Sequence, residues 1–164
     1  MNKSICPGCG LELTGTDTEI DKEFHASSAC RNLVYELTYY TLSLQDQYFI
    51  HQLVVDAYAA QHAKSTNTLI TIFFPVLGLY LVNERGFTGK QVQNTHVSFA
   101  RKWKEWPFFE VPTEKATLTV ADVLHTPLNE RQEMIMKWSA SVWKIWKPQN
   151  KKIKHEVEKR LNSS

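Results

Sequence analysis

The three cysteines of this chain all lie within its first 30 residues, and this clustering constrains the fold more than any other feature. Cys6-Pro-Gly-Cys9-Gly predicts a tight turn that brings two thiolates together. An odd number of closely spaced cysteines favours a metal site in a reducing compartment over a disulfide framework. His25 and Cys30 follow at a spacing that completes a four-ligand set. The pattern therefore predicts a structural zinc knuckle with the ligands Cys6, Cys9, His25 and Cys30.

An alternative interpretation makes His25 a surface histidine and Cys30 a small buried hydrophobic residue at the start of the first helix. In the zinc interpretation, four protein ligands leave no coordination position for water, so the ion is expected to serve folding and not catalysis. Its removal is then expected to unfold the first 30 residues.

The length of 164 residues and the hydrophobic content of 43% predict a single domain over residues 1–164. Residues 1–30 are expected to form the knuckle, and residues 31–164 a bundle of about five helices with a basic tail from about residue 151. The predicted fold class is therefore mainly α, with a small zinc knuckle packed on the bundle.

Helical periodicity and capping residues define the predicted elements. A first helix follows a cap at Ser27 or Ser28. Further helices are predicted over residues 47–61, 66–85 and 88–103, and a short helical or extended element over residues 118–124. The third helix ends at Gly86 and is kinked or irregular at Pro75. A last long helix begins near Thr126-Pro127.

Charge is distributed unevenly along the chain. Residues 1–60 carry three basic and eight acidic side chains, whereas residues 61–164 carry sixteen and nine. A basic interaction surface is one interpretation of this asymmetry, and solvated helix faces are the other. The apolar run from Leu69 to Val82 is too short and too interrupted to span a bilayer. The first residues lack the apolar stretch of a secretory signal, so we expect a cytoplasmic protein without a membrane contact.

Several motifs follow one another along nearly the whole chain. They are the opening CPGCG, the later His25 and Cys30, HQLVVDAYAAQH from His51 to His62, NERG from Asn83, LTVADVL from Leu118, and WSASVWKIW from Trp138 to Trp146. Together they resemble the bacterial family catalogued as domain of unknown function 5946. In that family Ser-Pro-Gly-Cys-Trp is usual where this chain has Ser27-Ser-Ala-Cys30-Arg, and a histidine is usual near Pro75. The resemblance implies no substrate, cofactor or reaction.

The predicted second helix concentrates titratable groups, and Asp56, Tyr58 and His62 are the candidate catalytic residues. His51 and His62 are about 16 Å apart on a straight helix, which excludes a single-helix metal pair. His96, Asp122 and His125 are possible contributors from other helices. The alternative is that Asp56 bridges helices while Tyr58 and His62 are core residues with satisfied polar atoms.

Three functions fit these patterns. The first is a zinc-stabilised domain that binds a partner protein or a small ligand. The second is a hydrolase-type enzyme that uses Asp56, Tyr58 and His62. The third is nucleic-acid binding, which a zinc knuckle and basic segments favour and the acidic N-terminal third disfavours.

Overall fold

The computed structural model describes residues 3–14 and 20–163 of the chain. Two three-residue strands, β1 (Lys3–Ile5) and β2 (Glu12–Thr14), form an antiparallel pair in which Ser4 lies opposite Leu13. The remaining regular structure is helical, which confirms the mainly α prediction. The α-helices are α1 (Ser28–Ser43), α2 (His51–Gln61), α3 (Leu69–Arg85), α4 (Gly89–Lys102), α5 (Val120–Leu124), α6 (Arg131–Trp146) and α7 (Asn150–Leu161).

Side-chain caps fix the starts of three helices. The hydroxyl of Ser27 accepts a hydrogen bond from the backbone amide of Cys30, so Ser27 is the cap of α1. Thr68 caps α3, and Thr88 forms a reciprocal capping box with Gln91 at the start of α4. Gly86 ends α3 in the left-handed conformation, as the sequence predicts.

The second helix begins at His51, four residues later than the sequence predicts. The Asp46 carboxylate accepts hydrogen bonds from the backbone amides of Tyr48 and Ile50, and Phe49 has a positive φ of 52°. This side-chain turn competes with the helix for the same backbone donors, which displaces the helix start.

Helix α2 lies at the centre of the bundle, in contact with α1, α3, α4 and α6. All of its residues from Gln52 to Gln61 are buried except Val55. Its polar side chains therefore face neighbouring helices instead of water. The largest fully buried side chains include Trp138 and Trp146 of α6 and Phe73 of α3.

The basic segment after residue 150 forms helix α7 and packs onto the bundle. Ile153 and Val157 are fully buried, and the Arg160 guanidinium lies over the rings of Phe73, Trp103 and Trp106. Part of this segment's positive charge is therefore directed into the core contact. Among residues 3–14 and 20–163, no helix combines the length and hydrophobicity that crossing a bilayer requires.

Candidate metal centre

Four metal-ligating side chains converge where the N-terminal segment meets the bundle. The ligand atoms of Cys6, Cys9, Cys30 and His62 all lie within 4.8 Å of one another. Cys6, Cys30 and His62 are fully buried, and Cys9 is 5% exposed. Such a Cys3His set, with three soft thiolates and one imidazole, can hold a metal ion.

Three local elements position the four candidate ligands, since Cys6 and Cys9 share one turn. Backbone bonds from the Cys6 amide to the Leu11 carbonyl and from the Gly10 amide to the Cys6 carbonyl close the turn after β1. Cys30 is held in the first turn of α1 by the Ser27 cap. His62 is the residue that ends α2, and its backbone amide bonds back to Tyr58.

The imidazole of His62 is oriented by its own helix. Its Nδ1 lies 2.8 Å from the backbone oxygen of Tyr58, and its Nε2 lies 3.5 Å from the Cys30 sulfur. An Nδ1–H that donates to the carbonyl leaves the Nε2 lone pair directed at the cysteines. Hydrogen bonding of the second ring nitrogen to a backbone carbonyl is the usual support of a metal-bound histidine.

The structure brings together three of the four predicted ligands, Cys6, Cys9 and Cys30, but not the fourth, His25. His25, which the local spacing favoured, is exposed and does not belong to the group; His62 occupies that position. The backbone amide of His25 donates a 2.8 Å hydrogen bond to the carbonyl of His62, so His25 contributes its main chain to the centre. A histidine separated from Cys30 by α1 and most of α2 is brought in only by tertiary packing. Local spacing therefore could not identify it.

Gly8 permits the close approach of the knuckle turn to α2. A Cβ atom at this position would lie 2.2 Å from the His25 carbonyl oxygen and 2.6 Å from Cδ2 of His62. Both distances are below any real carbon contact, so a side chain here would separate the turn from the histidine.

The protonation of the cysteines reflects their crowding. Hydrogen bonds from the thiols of Cys30 and Cys9 lower the pKa of Cys6 far below its ordinary value. Hydrogen bonding to Cys6 and Cys9, together with burial, raises the pKa of Cys30 well above that value. A thiolate at Cys6 therefore disfavours a second thiolate at Cys30.

The candidate catalytic residues of α2 do not converge on one point. The rings of Tyr58 and His62 are 4.2 Å apart, and His62 faces the cysteines. Asp56 instead meets Gln52, whose amide nitrogen lies 3.2 Å from its Oδ1, and His96 of α4, whose Nε2 lies 4.0 Å from its Oδ2. His62 belongs to the candidate Cys3His group, and Asp56 belongs to a second polar cluster.

This second cluster is neutral in character and tightly packed. Burial raises the pKa of Asp56 well above its ordinary value, and burial lowers the pKa of His96 to about 4. The Asp56 carboxyl packs against Gly78 of α3, where an added Cβ would lie 1.9 Å from Oδ2. His96 was one of the possible contributors from other helices, and it is the one that the structure brings to Asp56.

The other sequence candidates lie apart from both clusters. His51 Nδ1 lies 2.8 Å from the Thr41 hydroxyl, which ties α2 to α1. His125 is exposed, and the Asp122 carboxylate accepts a hydrogen bond from the amide of Thr119, the N-cap residue of α5. These residues have local structural contacts.

The chain belongs to the family whose model is described as "Family of unknown function (DUF5946)", which matches residues 4–147. The match includes all four residues of the Cys3His group and the whole of α2. No curated protein and no solved structure matches the sequence.

Proposed function

We propose that this chain is a binding domain whose N-terminal segment is held on the helical bundle by one structural zinc ion, with Cys6, Cys9, Cys30 and His62 as ligands. The distances between the ligand atoms support this proposal. With Zn–S near 2.3 Å and Zn–N near 2.0–2.1 Å, tetrahedral geometry places two sulfurs about 3.8 Å apart and a sulfur and a nitrogen about 3.5 Å apart. The Cys9 and Cys30 sulfurs are 3.8 Å apart, and Cys30 Sγ and His62 Nε2 are 3.5 Å apart.

The donor set supports zinc as the ion. Three thiolates and an imidazole in a tetrahedral arrangement are typical of structural zinc sites, whereas calcium and magnesium require oxygen ligands. The burial of all four side chains supports a closed site without a coordination position for water or substrate. We therefore assign the ion to stability, as in other small domains where metal binding supplies folding free energy.

The separation of the polar residues of α2 favours binding over catalysis. A metal-bound imidazole cannot act as a general base, and Asp56 faces Gln52 and His96 instead of Tyr58. The proposed domain therefore acts by holding a small ligand or a partner protein. Chemistry at its metal is not part of the proposal.

Metal content measured by elemental analysis tests the assignment. We expect about one zinc per chain in the purified protein, less than a tenth of that in Cys9→Ser and His62→Ala, and unchanged zinc in His25→Ala. Loss of zinc in His25→Ala with retention in His62→Ala would restore the sequence-based ligand set. Absence of zinc from the wild-type protein after growth in zinc-supplemented medium would refute the proposal.

A further inference from the structure

A cleft of about 460 Å³ opens beside the metal centre. One wall is formed by Gly8 and His25 of the N-terminal segment, and another by residues 60, 61 and 63–65, at and just after the end of α2. Residues 111–115 form a third wall, and Ile145 of α6 completes the lining. Four distant parts of the chain thus meet around one space. Its volume is within the range of small-molecule sites, which run from about 300 to 1,000 Å³.

The wall formed by residues 111–115 belongs to an irregular segment, residues 103–119, that is held in place along its length. Phe109 is buried in the core, and the Gln149 side chain makes two hydrogen bonds to the backbone of Glu110, of 2.9 and 2.7 Å. Lys115 reaches the knuckle turn, where its ammonium donates to the carbonyls of Pro7 and Gly8. Long irregular segments within compact folds are usually functional, and this one is fixed as a binding wall would need to be.

The charges around the cleft are predominantly positive. Lys64 and Lys115 both line it, and Glu114 is the one acidic residue among its described lining residues. The Lys64 ammonium donates a 2.5 Å hydrogen bond to the carbonyl of Lys22. An ammonium has three donors, so Lys64 retains two and Lys115 retains one beyond these backbone contacts. Both lysines are held in place and still have donors for an anionic group.

The lining also contains a buried, hydrogen-bonded glutamine and several apolar side chains. Gln61 is buried; its amide nitrogen donates to the Leu118 carbonyl, and its oxygen accepts from the Trp138 indole. Gln61 therefore forms a rigid floor of the cleft, and its side-chain amide is already engaged by other residues. Ala60, Val111 and Ile145 supply apolar surface next to it.

We infer that this cleft binds a small organic anion, with the carboxylate or phosphate group held by Lys64 and Lys115 and an apolar body packed against Val111 and Ile145. The inference rests on the proposed function, because the metal centre positions the wall that carries Gly8 and His25. It names the ligand class of the proposed binding domain.

The test is a titration of the isotope-labelled full chain, followed by amide NMR and accompanied by zinc analysis of the same sample. The probes are phenyl phosphate and benzoate, with benzyl alcohol as the neutral analogue and inorganic phosphate as the anion without an apolar body. We expect saturable shifts at the amides of Gly8, Ser65 and Lys115 with at least one aromatic anion. The neutral analogue should bind at least tenfold more weakly. Comparison of phenyl phosphate with benzoate identifies which anionic group the cleft prefers.

Lys64→Met is the decisive variant, since Lys64 does not contact the metal turn through its side chain. Loss of one charge-assisted hydrogen bond should weaken binding about tenfold. Lys151→Met, at an exposed position of α7, is the matched control and should bind like the wild type.

The two proposals fail in different ways. A chain that holds one zinc and shows no saturable shift with either anion, or binds benzyl alcohol equally well, overturns the inference and leaves the structural zinc assignment standing. Wild-type affinity in Lys64→Met also overturns it. A chain without zinc refutes the proposed function, whatever the titration shows.

Discussion

The N-terminal segment and the helical bundle are stabilised by different kinds of buried side chain. Within residues 3–14 and 20–30, the buried apolar side chains are Cys6, Cys9, Ala26 and Cys30. The bundle buries tryptophans, phenylalanines and leucines. A large buried aliphatic or aromatic side chain contributes about 1.5–3 kcal/mol, so the bundle can offset its conformational entropy by burial. The segment has too little apolar surface for that, and its core consists largely of candidate metal ligands.

The largest expected effect comes from removing the proposed zinc ion. If the N-terminal segment depends on this ion, chelation by EDTA should release residues 3–14 and 20–30 from the bundle, because binding of structural zinc contributes on the order of 10 kcal/mol in small zinc domains. Far-UV circular dichroism should retain most of its helical signal, whereas hydrogen exchange should become fast in residues 3–14 and 20–30. Equal loss of protection in α3 and α6 would show that the two regions are not distinct.

A large truncation in the bundle should have the converse effect. Trp138 is fully buried, and its indole donates a 2.9 Å hydrogen bond to Gln61. Trp138→Ala should lower the free energy of unfolding by about 3–5 kcal/mol. Chemical denaturation of the zinc-loaded protein would measure this, while elemental analysis should still find the wild-type zinc content in the folded fraction. Trp138→Phe keeps most of the side-chain volume and should lower the free energy of unfolding by less.

Gly8→Ala probes the contact between the two regions. The added methyl would meet the His25 carbonyl and the His62 ring, so we expect the turn to move away from His62 and zinc affinity to fall about tenfold or more. Competition with a chromophoric chelator would measure the zinc affinity. Gly86→Ala is the control. It strains the backbone of the bundle, where Gly86 has φ 68°, but its added Cβ would have no atom within 4 Å. We expect it to leave zinc affinity unchanged.

The smallest expected effect concerns the buried Asp56, and it depends on pH. The pKa of Asp56 is raised in the folded state, so the neutral carboxyl contributes full stability below its unfolded pKa of about 3.9 and loses it as pH rises toward the folded value. Asp56→Asn should therefore match the wild type near pH 4 and exceed it by on the order of 1 kcal/mol at pH 8.

His96 has the opposite dependence, since its pKa is lowered to about 4 and its contribution is lost as pH falls from 6.5 through that value. The difference between Asp56→Asn and the wild type at each pH isolates the carboxyl. Urea denaturation at pH 4, 6 and 8 would provide the comparison. A constant difference at all three values would show that Asp56 titrates normally.

The sequence predicts features that depend on neighbouring residues and misses those that depend on distant ones. The cap of α1 at Ser27 or Ser28, the start of α4 near Thr88 and the end of α3 at Gly86 are each determined within one helical turn, and the structure has them at Ser27, Thr88 and Gly86. The start of α2 is missed because the Asp46 turn competes for the same amides.

The candidate site divides in the same way. The grouping of Cys6 with Cys9 follows from a two-residue turn, whereas the inclusion of His62 depends on how α1 and α2 pack. His62 was recognised in the sequence as a functional candidate, but its geometric partners could not be derived from helical spacing. The pairing of Asp56 on α2 with His96 on α4 also depends on helix packing, so helical periodicity could not predict it.

The position of His62 at the end of α2 also sets an order of events during synthesis. Cys6, Cys9 and Cys30 leave the ribosome first, and the fourth donor follows 32 residues after Cys30, once most of α1 and all of α2 have been made. The four ligand atoms can therefore meet only once the chain has been made through the end of α2. Until then the growing chain carries the three thiols without the imidazole that completes the candidate Cys3His group.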